Sequence, residues 1–236
     1  MKFLERIPAD VRFRMSRMVV DSPLAGPYMR AREPYQHVRY VNACDLVIDG
    51  FPRSANTYAW YASKLTLEPK YMVRGHTHVV ETLRRGLQNG KPTMLLLREP
   101  DAAVASLYQM RNGVSLRACF DAYTRFHRKC LTLGGELYVA RFDQVTNDFG
   151  AVLKEFYKFN GVDWPVYEKT ALNESRVFDI IDSANQKLND GSLREQGVAR
   201  PSSKRTGKDE VLASMSKDEK RAQAQAKNAY SALIEK

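Results

Sequence analysis

Residues 50–57 (GFPRSANT) have the setting and the composition of a loop that binds phosphate. The short apolar run Asp45–Asp49 precedes them as a buried strand would, and Tyr58–Leu65 can continue as a helix. A strand, a tight turn and a helix N-terminus gather backbone N–H groups and the positive end of the helix dipole around one anion. The strict nucleotide-triphosphate loop reads G-x-x-x-x-G-K-S/T. Here alanine and asparagine replace its Gly-Lys pair and the cation, Arg53, comes three positions earlier, which predicts a phosphate site unlike that of an ordinary ATPase.

A second candidate site follows the most apolar strand in the chain, Thr93–Leu97. This strand ends at Arg98, a proline turns the chain, and the next helix carries Ser106 about two turns from its start. An arginine and a hydroxyl can form charge-assisted hydrogen bonds with a second phosphate. The alternative is a surface ion pair between Arg98 and Glu99 or Asp101.

Length and composition are those of one folded domain. The 236 residues are 44% hydrophobic and 10% aromatic, which is enough for a full core. The net charge of +10 favours an anionic partner: a nucleic acid, a membrane surface or a polyanionic small molecule. No apolar run approaches the ~20 residues of a membrane span, and we see no secretory signal. The three cysteines lack metal-type spacing, so we expect buried, reduced thiols in a cytoplasmic protein.

From residue 45 onward, the expected elements alternate between strand and helix. We predict strands at Asp45–Asp49, Tyr71–Arg74, Thr93–Leu97 and Leu137–Ala140. The predicted helices that follow them are Val79–Leu87, Ala102–Met110, Leu116–Leu131, Phe149–Phe159 (capped by Asn147 or Asp148) and Lys217–Ile234. This alternation predicts an α/β fold, a single domain with a central parallel β-sheet flanked by helices and with its ligand site at the carboxyl ends of the strands.

Two further segments flank or interrupt that domain. Residues 1–44 contain two proline-bearing stretches and are expected to form an N-terminal arm, irregular apart from a short helix near Ala9–Val19. Residues 45–236 would form the domain itself. Within it, residues 186–205 are rich in Gly, Ser, Asn and Arg, and loops of this length are usually lids or disordered. We therefore expect a lid over residues 186–208.

Three segments in order resemble the sulfotransferase family. Phe51–Tyr58 is similar to its 5′-phosphosulfate loop, Y/F-P-K/R-S/A-G-T/S/N-T/S-W/Y, and Arg98–Ser106 keeps the arginine-to-serine spacing of its 3′-phosphate segment. Val139–Val145 stands where a strand ending in R-Y/F-E/D-D/E/Q-L/M is expected, and Gly161 follows the next helix. The resemblance covers Asp45 to Trp164 and implies the sulfotransferase version of the P-loop-containing nucleotide-hydrolase fold.

The resemblance also implies a donor and its contacts. The donor would be 3′-phosphoadenosine-5′-phosphosulfate (PAPS), its product 3′,5′-adenosine bisphosphate (PAP), and no metal would be needed. The acceptor would be a hydroxyl or amine of a small molecule or glycan. The donor-binding residues implied are Pro52, Arg53, Ser54, Ala55, Asn56, Thr57, Tyr58, Arg98, Ser106 and Phe142, with Arg200, Ser203, Lys204 and Arg205 in the late basic loop. Tyr58 and Phe142 would pack near the adenine, although a plain core position is the alternative for either ring.

The catalytic residues implied are a histidine base and Arg53, which would stabilise the leaving phosphate. His76 matches the family's K/R-T/S-H segment, and a histidine titrates in the range that suits removal of a hydroxyl proton. His78 and Glu81 are the reserve candidates. A metal site is not expected, because two histidines separated by one residue lack a third ligand.

Two other functions compete with this interpretation. A P-loop nucleotide kinase or NTPase would need Mg²⁺, a loop lysine and a strand-end aspartate, and the chain lacks the lysine. A basic nucleic-acid-binding protein would show a recognisable module, and none is evident. We therefore expect no nucleic-acid or membrane partner, and a monomer or homodimer. The acceptor pocket should come from the N-terminal arm, residues 76–90 and the 180–200 loop. Ala55, where the family has glycine, fits such a loop only if its φ is negative.

Overall fold

The computed structural model describes residues 6–20, 22, 25, 43–134, 136–187, 189–192 and 207–236. In chain order the elements of these residues are α1 (Ala9–Val20), β1 (Leu46–Gly50), α2 (Asn56–Leu67), β2 (Val73–Gly75), α3 (Val80–Gln88), β3 (Thr93–Leu97), α4 (Pro100–Met110), α5 (Leu116–Leu131), β4 (Tyr138–Arg141), α6 (Phe142–Asn147), α7 (Phe149–Phe159), α8 (Ala171–Lys187), α9 (Lys208–Ala213) and α10 (Lys217–Ile234). The predicted alternation of strands and helices is confirmed.

The strands form one four-stranded sheet in the order β2-β1-β3-β4, and every neighbouring pair is parallel. In register, Ile48 of β1 lies opposite Gly75 of β2 and Met94 of β3, while Leu97 of β3 lies opposite Arg141 of β4. Parallel strands bring their carboxyl ends to one edge of the sheet. The segments after β1, β2 and β3 therefore meet at that edge, and this α/β architecture is the one predicted.

The sheet separates two apolar cores, because alternate side chains of a strand point to opposite faces. In β3, Leu95 and Leu97 belong to one core and Met94 and Leu96 to the other. The first core packs the sheet against α3, α4, α5 and α10, and its largest buried rings are those of Phe51, Phe120, Tyr123 and Phe126. The second core packs it against α2, α7 and α8, through Tyr58, Phe149, Phe156 and Tyr167.

Local capping explains where several helices begin. Asp148, one of two predicted caps of α7, accepts a hydrogen bond from the N–H of Ala151 at 3.0 Å. In α4 the Glu99 carboxylate accepts from the N–H of Ala102, so the helix begins at Pro100, two residues earlier than predicted. The helices α6, α8 and α9 were not predicted. In α8 only Val177 and Ile181 are buried, and this stripe is too sparse to show clear periodicity.

Helix α1 packs against the domain. The Asp10 carboxylate accepts hydrogen bonds from the N–H and the hydroxyl of Ser115, both at 2.8 Å, and caps the turn before α5. The guanidinium of Arg14 reaches the carboxylate of Asp121 at 3.1 Å, and Val20 is buried. The short helix expected near Ala9–Val19 is thus present, while the proline-bearing stretches of the predicted arm lie outside the described residues, apart from Ser22 and Ala25.

All three cysteines are buried and none forms a disulfide, as predicted. Burial raises the pKa of the Cys44 thiol to about 11 and that of Cys119 to about 12, so these thiols stay protonated and unreactive near neutral pH. Among the described helices, none is long and apolar enough to cross a membrane.

His127 is fully buried in the first core. Its ring contacts those of Phe51, Tyr123 and Phe126, and its Nδ1 lies 2.9 Å from the carbonyl oxygen of Tyr123. Since a carbonyl only accepts, Nδ1 carries the proton, and the buried Nε2 has no hydrogen-bond partner in the described part of the chain. Burial lowers the pKa of His127 from 6.5 to about 3.

We expect His127 to make the protein unstable in mild acid. In the unfolded chain the exposed imidazole has a pKa of 6.5 and binds a proton below that pH, whereas in the folded protein its pKa is about 3. The stability that His127 confers is therefore complete above pH 6.5 and is lost as pH falls, with a slope of about 1.4 kcal/mol per pH unit. Urea denaturation of wild type and His127→Leu at several pH values tests this. Equal dependence of the free energy of unfolding on pH in the two proteins would show that His127 does not contribute to the loss of stability in acid.

Candidate functional site

The turn between β1 and α2 has an unusual backbone. Arg53 and Ala55 both adopt the left-handed conformation, with φ of 73° and 64°. The expectation of a negative φ at Ala55 is therefore wrong. The turn needs a left-handed residue immediately before α2, and the methyl group is accommodated because it packs against the second core. Such a conformation costs an ordinary residue about 1–2 kcal/mol, and strain of this kind clusters at functional sites.

This turn presents a row of free hydrogen-bond donors. Within the described residues, the backbone N–H groups of Ser54 to Tyr58 donate to no protein acceptor. The hydroxyl of Ser54 is fully buried and also has no partner there. The side chain of Asn56 donates to the carbonyl of Phe51 at 2.8 Å and closes the turn. Several N–H groups at a helix N-terminus form a site for one small anion.

The two predicted phosphate segments are in direct contact. The Nε of Arg53 donates to the hydroxyl of Ser106 at 2.9 Å, and its NH1 group lies 3.8 Å from the sulfur of Met110. Ser106 lies on the buried side of α4, about two turns from its start, as predicted. Arg53 therefore bridges the turn after β1 and the helix after β3.

Arg98 lies at the carboxyl end of the central strand β3, as predicted, and contacts the same turn. Its NH1 group donates to the carbonyl oxygen of Arg53 at 2.7 Å, and its guanidinium lies 3.9 Å from the centre of the Phe142 ring. The hydroxyl of Tyr123 donates to the Arg98 carbonyl at 2.6 Å and holds the backbone. The alternative pairing with an acidic neighbour is not favoured, because Glu99 caps α4 and Asp101 bonds Lys227 at 2.9 Å.

The buried side chain of Asp49, which we did not predict as a site residue, connects the end of β1 with the segment after β2. Asp49 is fully buried and accepts hydrogen bonds from the N–H groups of Gly50, Thr77 and His78 and from the Thr77 hydroxyl. Burial raises the pKa of Asp49, and these four hydrogen bonds oppose that shift. The sequence signal that could have identified Asp49 was an acidic residue inside an otherwise apolar strand.

Both histidines of the segment after β2 contact the turn between β1 and α2 or the start of α2, which together we call the phosphate-type turn (residues 50–58). The Nε2 of His76 lies 3.1 Å from the hydroxyl of Thr57, and Nδ1 of His78 lies 3.0 Å from the carbonyl of Gly50. Each histidine has a φ of 59°, again in the left-handed region. Burial, and then the charges of nearby arginines, lower the pKa of His78 to about 4, so this ring is neutral at physiological pH.

The remaining predicted residues lie elsewhere or outside the described chain. The ring of Tyr58 is buried in the second core against Phe149, Tyr167 and Phe178, which is the core alternative. Both carboxylate oxygens of Glu81 bond Arg84 and Arg85 of its own helix. Arg200, Ser203, Lys204 and Arg205 lie outside the described residues. Among the described residues there is no cluster of three or more His, Cys, Asp or Glu side chains suited to a metal ion.

Comparisons with known proteins add little to this geometry. No protein-family profile matches the chain, and no curated protein matches it in sequence. Among solved structures, the chain is similar to the crystal structure of mouse sulfotransferase SULT7A1 complexed with PAP, with 11% identity and a TM-score of 0.38. The match covers 81% of this chain and 87% of that one. A likeness this distant says nothing about function, so the proposed function is based on the geometry of the site alone.

Proposed function

We propose that the protein is a sulfotransferase that moves the sulfuryl group of PAPS to a hydroxyl or amine of a small-molecule or glycan acceptor. One observation carries the proposal: Arg53 bonds Ser106 while Arg98 bonds the Arg53 carbonyl, next to a row of unpaired N–H groups. Two arginines and free N–H donors at one sheet edge suit a ligand with more than one anionic group. PAPS is such a ligand, with phosphate on both sides of its adenosine.

In this proposal the donor lies along the edge of the sheet. The 5′-phosphosulfate would occupy the turn, held by Arg53 and by the N–H groups of residues 54–58. The 3′-phosphate would lie near Arg98 and Ser106. The adenine would contact Phe142, whose ring already stacks on the Arg98 guanidinium. We further propose that the segment between α8 and α9, with Arg200, Ser203, Lys204 and Arg205, forms a lid over the 3′-phosphate; residues 186–187 and 208 of the expected lid belong to these helices.

The chemistry asks little of the protein beyond positioning and charge. The S–O bond to the bridging oxygen of the donor breaks while the acceptor oxygen forms a new S–O bond in line with it. The acceptor proton passes to a histidine, and PAP leaves with the additional negative charge on its phosphate. Arg53 and the N–H groups are fixed where that charge develops, so no reorganisation is needed at the moment of transfer.

We expect His76 to be the base, since its Nε2 is 3.1 Å from Thr57 in the turn that would hold the sulfuryl group. His76→Ala should lower kcat by about a hundredfold or more while leaving the Kd for PAP unchanged. Steady-state kinetics and calorimetry measure the two quantities. His78→Ala is the comparison variant for backbone strain, because both residues share a φ of 59°, and the greater loss of kcat should come from His76→Ala. Full activity in His76→Ala would assign the proton transfer to another group.

The function as a whole is tested by calorimetric titration with PAP in the presence of a metal chelator. We expect micromolar or tighter binding, and transfer of radiolabelled sulfate from PAPS to at least one compound of a metabolite panel. MgATP, titrated without the chelator, is the comparison ligand: binding of MgATP but not of PAP would replace this proposal by a kinase or NTPase. A cytoplasmic location and a monomeric or homodimeric state belong to the same proposal.

A further inference from the structure

A cavity of about 520 Å³ opens beside the phosphate-type turn, in the size range of small-molecule sites. It lies between α1, the segment after β2, and the connection from α4 to α5. Phe51 and Pro52, next to Arg53 in sequence, form one wall together with His78. The apolar part of the lining includes Phe13, Val20, Leu107 and Met110.

The polar part of the lining is strongly cationic. Arg12, Arg17 and Arg111 line the cavity, and none of its described lining residues is an aspartate or a glutamate. Arg12 and Arg111 form no side-chain hydrogen bond or ion pair within the described part of the chain. Arg17 is held in place, since both its NH1 and NH2 groups lie 3.3 Å from the carbonyl oxygen of His78. Unpaired guanidinium groups beside an apolar wall favour a ligand with an anionic group.

We propose that this cavity is the acceptor site and that the acceptor is an amphipathic anion: an apolar body carrying a carboxylate or similar group, with its hydroxyl directed towards Pro52 and His78. Calling this ligand an acceptor rests on the proposed function. It narrows the substrate class, because neutral phenols, alcohols and uncharged sugars would leave Arg12 and Arg111 without a counter-charge.

His78 fits the hydroxyl end of such a ligand, and its ring centre lies 5.1 Å from that of His76, the proposed base. The carbonyl of Gly50 accepts the proton of Nδ1, so Nε2 is left as a hydrogen-bond acceptor on a ring that lines the cavity. Burial, and then the positive charges of Arg17, Arg111 and Arg53, lower the pKa of His78, so the ring stays neutral while Arg17 and Arg111 attract the anionic end of the ligand.

The test compares ω-hydroxydecanoate with its methyl ester, which has the same chain and hydroxyl but no charge. Calorimetry on the protein, with and without saturating PAP, should give a Kd about tenfold or more lower for the carboxylate. In the double variant Arg12→Gln/Arg111→Gln this preference should disappear, while the Kd for PAP stays unchanged. Both arginines are exposed, so the variant should fold, and circular dichroism verifies that it does. The double variant Arg128→Gln/Lys158→Gln removes the same number of charges from two exposed positions outside the cavity lining, so it is the charge-matched control and should retain the preference.

The outcomes separate the two proposals. Equal binding of carboxylate and ester, no binding of either, or an unchanged preference in the double variant would overturn the inference about the cavity, whatever PAP does. Failure to bind PAP, together with a carboxylate preference that the double variant abolishes, would keep the amphipathic-anion site and remove the sulfotransferase function. The same selectivity should appear in turnover as a lower KM for the carboxylate, measured by release of PAP.

Discussion

Replacing Arg53 by alanine is expected to lower kcat by about a thousandfold, the largest catalytic effect that the site predicts. Arg53 lies in the same turn as the free N–H groups, and its side chain is oriented by the hydroxyl of Ser106. In the proposed reaction it faces the oxygen that gains charge as the sulfuryl group leaves. Single-turnover measurements with saturating PAPS separate this loss in the chemical step from weaker donor binding.

Two variants control for charge and for position. Arg53→Lys keeps the charge but loses the planar group that bonds Ser106, so it should recover only part of the activity. Arg128→Ala removes an exposed arginine of α5 and should change kcat by no more than about twofold, because surface substitutions away from a site have small effects. An Arg53→Ala protein that folds, binds PAP and turns over at the wild-type rate would exclude Arg53 from the reaction.

Asp49→Ala is expected to lower the free energy of unfolding by about 3 kcal/mol or more. The carboxylate is fully buried and accepts hydrogen bonds from three backbone N–H groups and one hydroxyl. Alanine would leave these donors buried without acceptors, and each such donor costs about 1–3 kcal/mol. Chemical denaturation followed by far-ultraviolet circular dichroism measures the change.

The matched control for Asp49 is at the other end of the same segment. Asp45 accepts one hydrogen bond, from the N–H of Met72 at 2.8 Å, in an exposed position. Because water can replace this acceptor, Asp45→Ala should cost only about 1 kcal/mol. Equal losses for the two variants would show that the buried network at Asp49 contributes nothing beyond an ordinary surface contact. A fully active Asp49→Ala protein would also show that the segment after β2 does not need this carboxylate to hold its histidines.

Elements defined by local patterns were predicted from the sequence with correct bounds. β3, α5, α7 and α10 begin and end at the predicted residues. Their signals are short-range: an apolar run for β3, a periodic apolar face for α7, and the cap of α7 at Asp148. The helix α8 was missed because its burial depends on contacts with α2, which sequence spacing does not reveal.

The candidate site divides in the same way. The residue types and their spacing determined which loop would bind an anion and that Arg98 and Ser106 would follow the central strand. Only the tertiary structure decided that Arg53 and Ser106 touch across 53 positions of sequence, that Asp49 holds the histidine segment, and that α1 closes a cationic cavity beside the turn. The physical reason is range: caps and periodicity act within a few residues, whereas these contacts exist only when parallel strands bring their carboxyl ends to one edge.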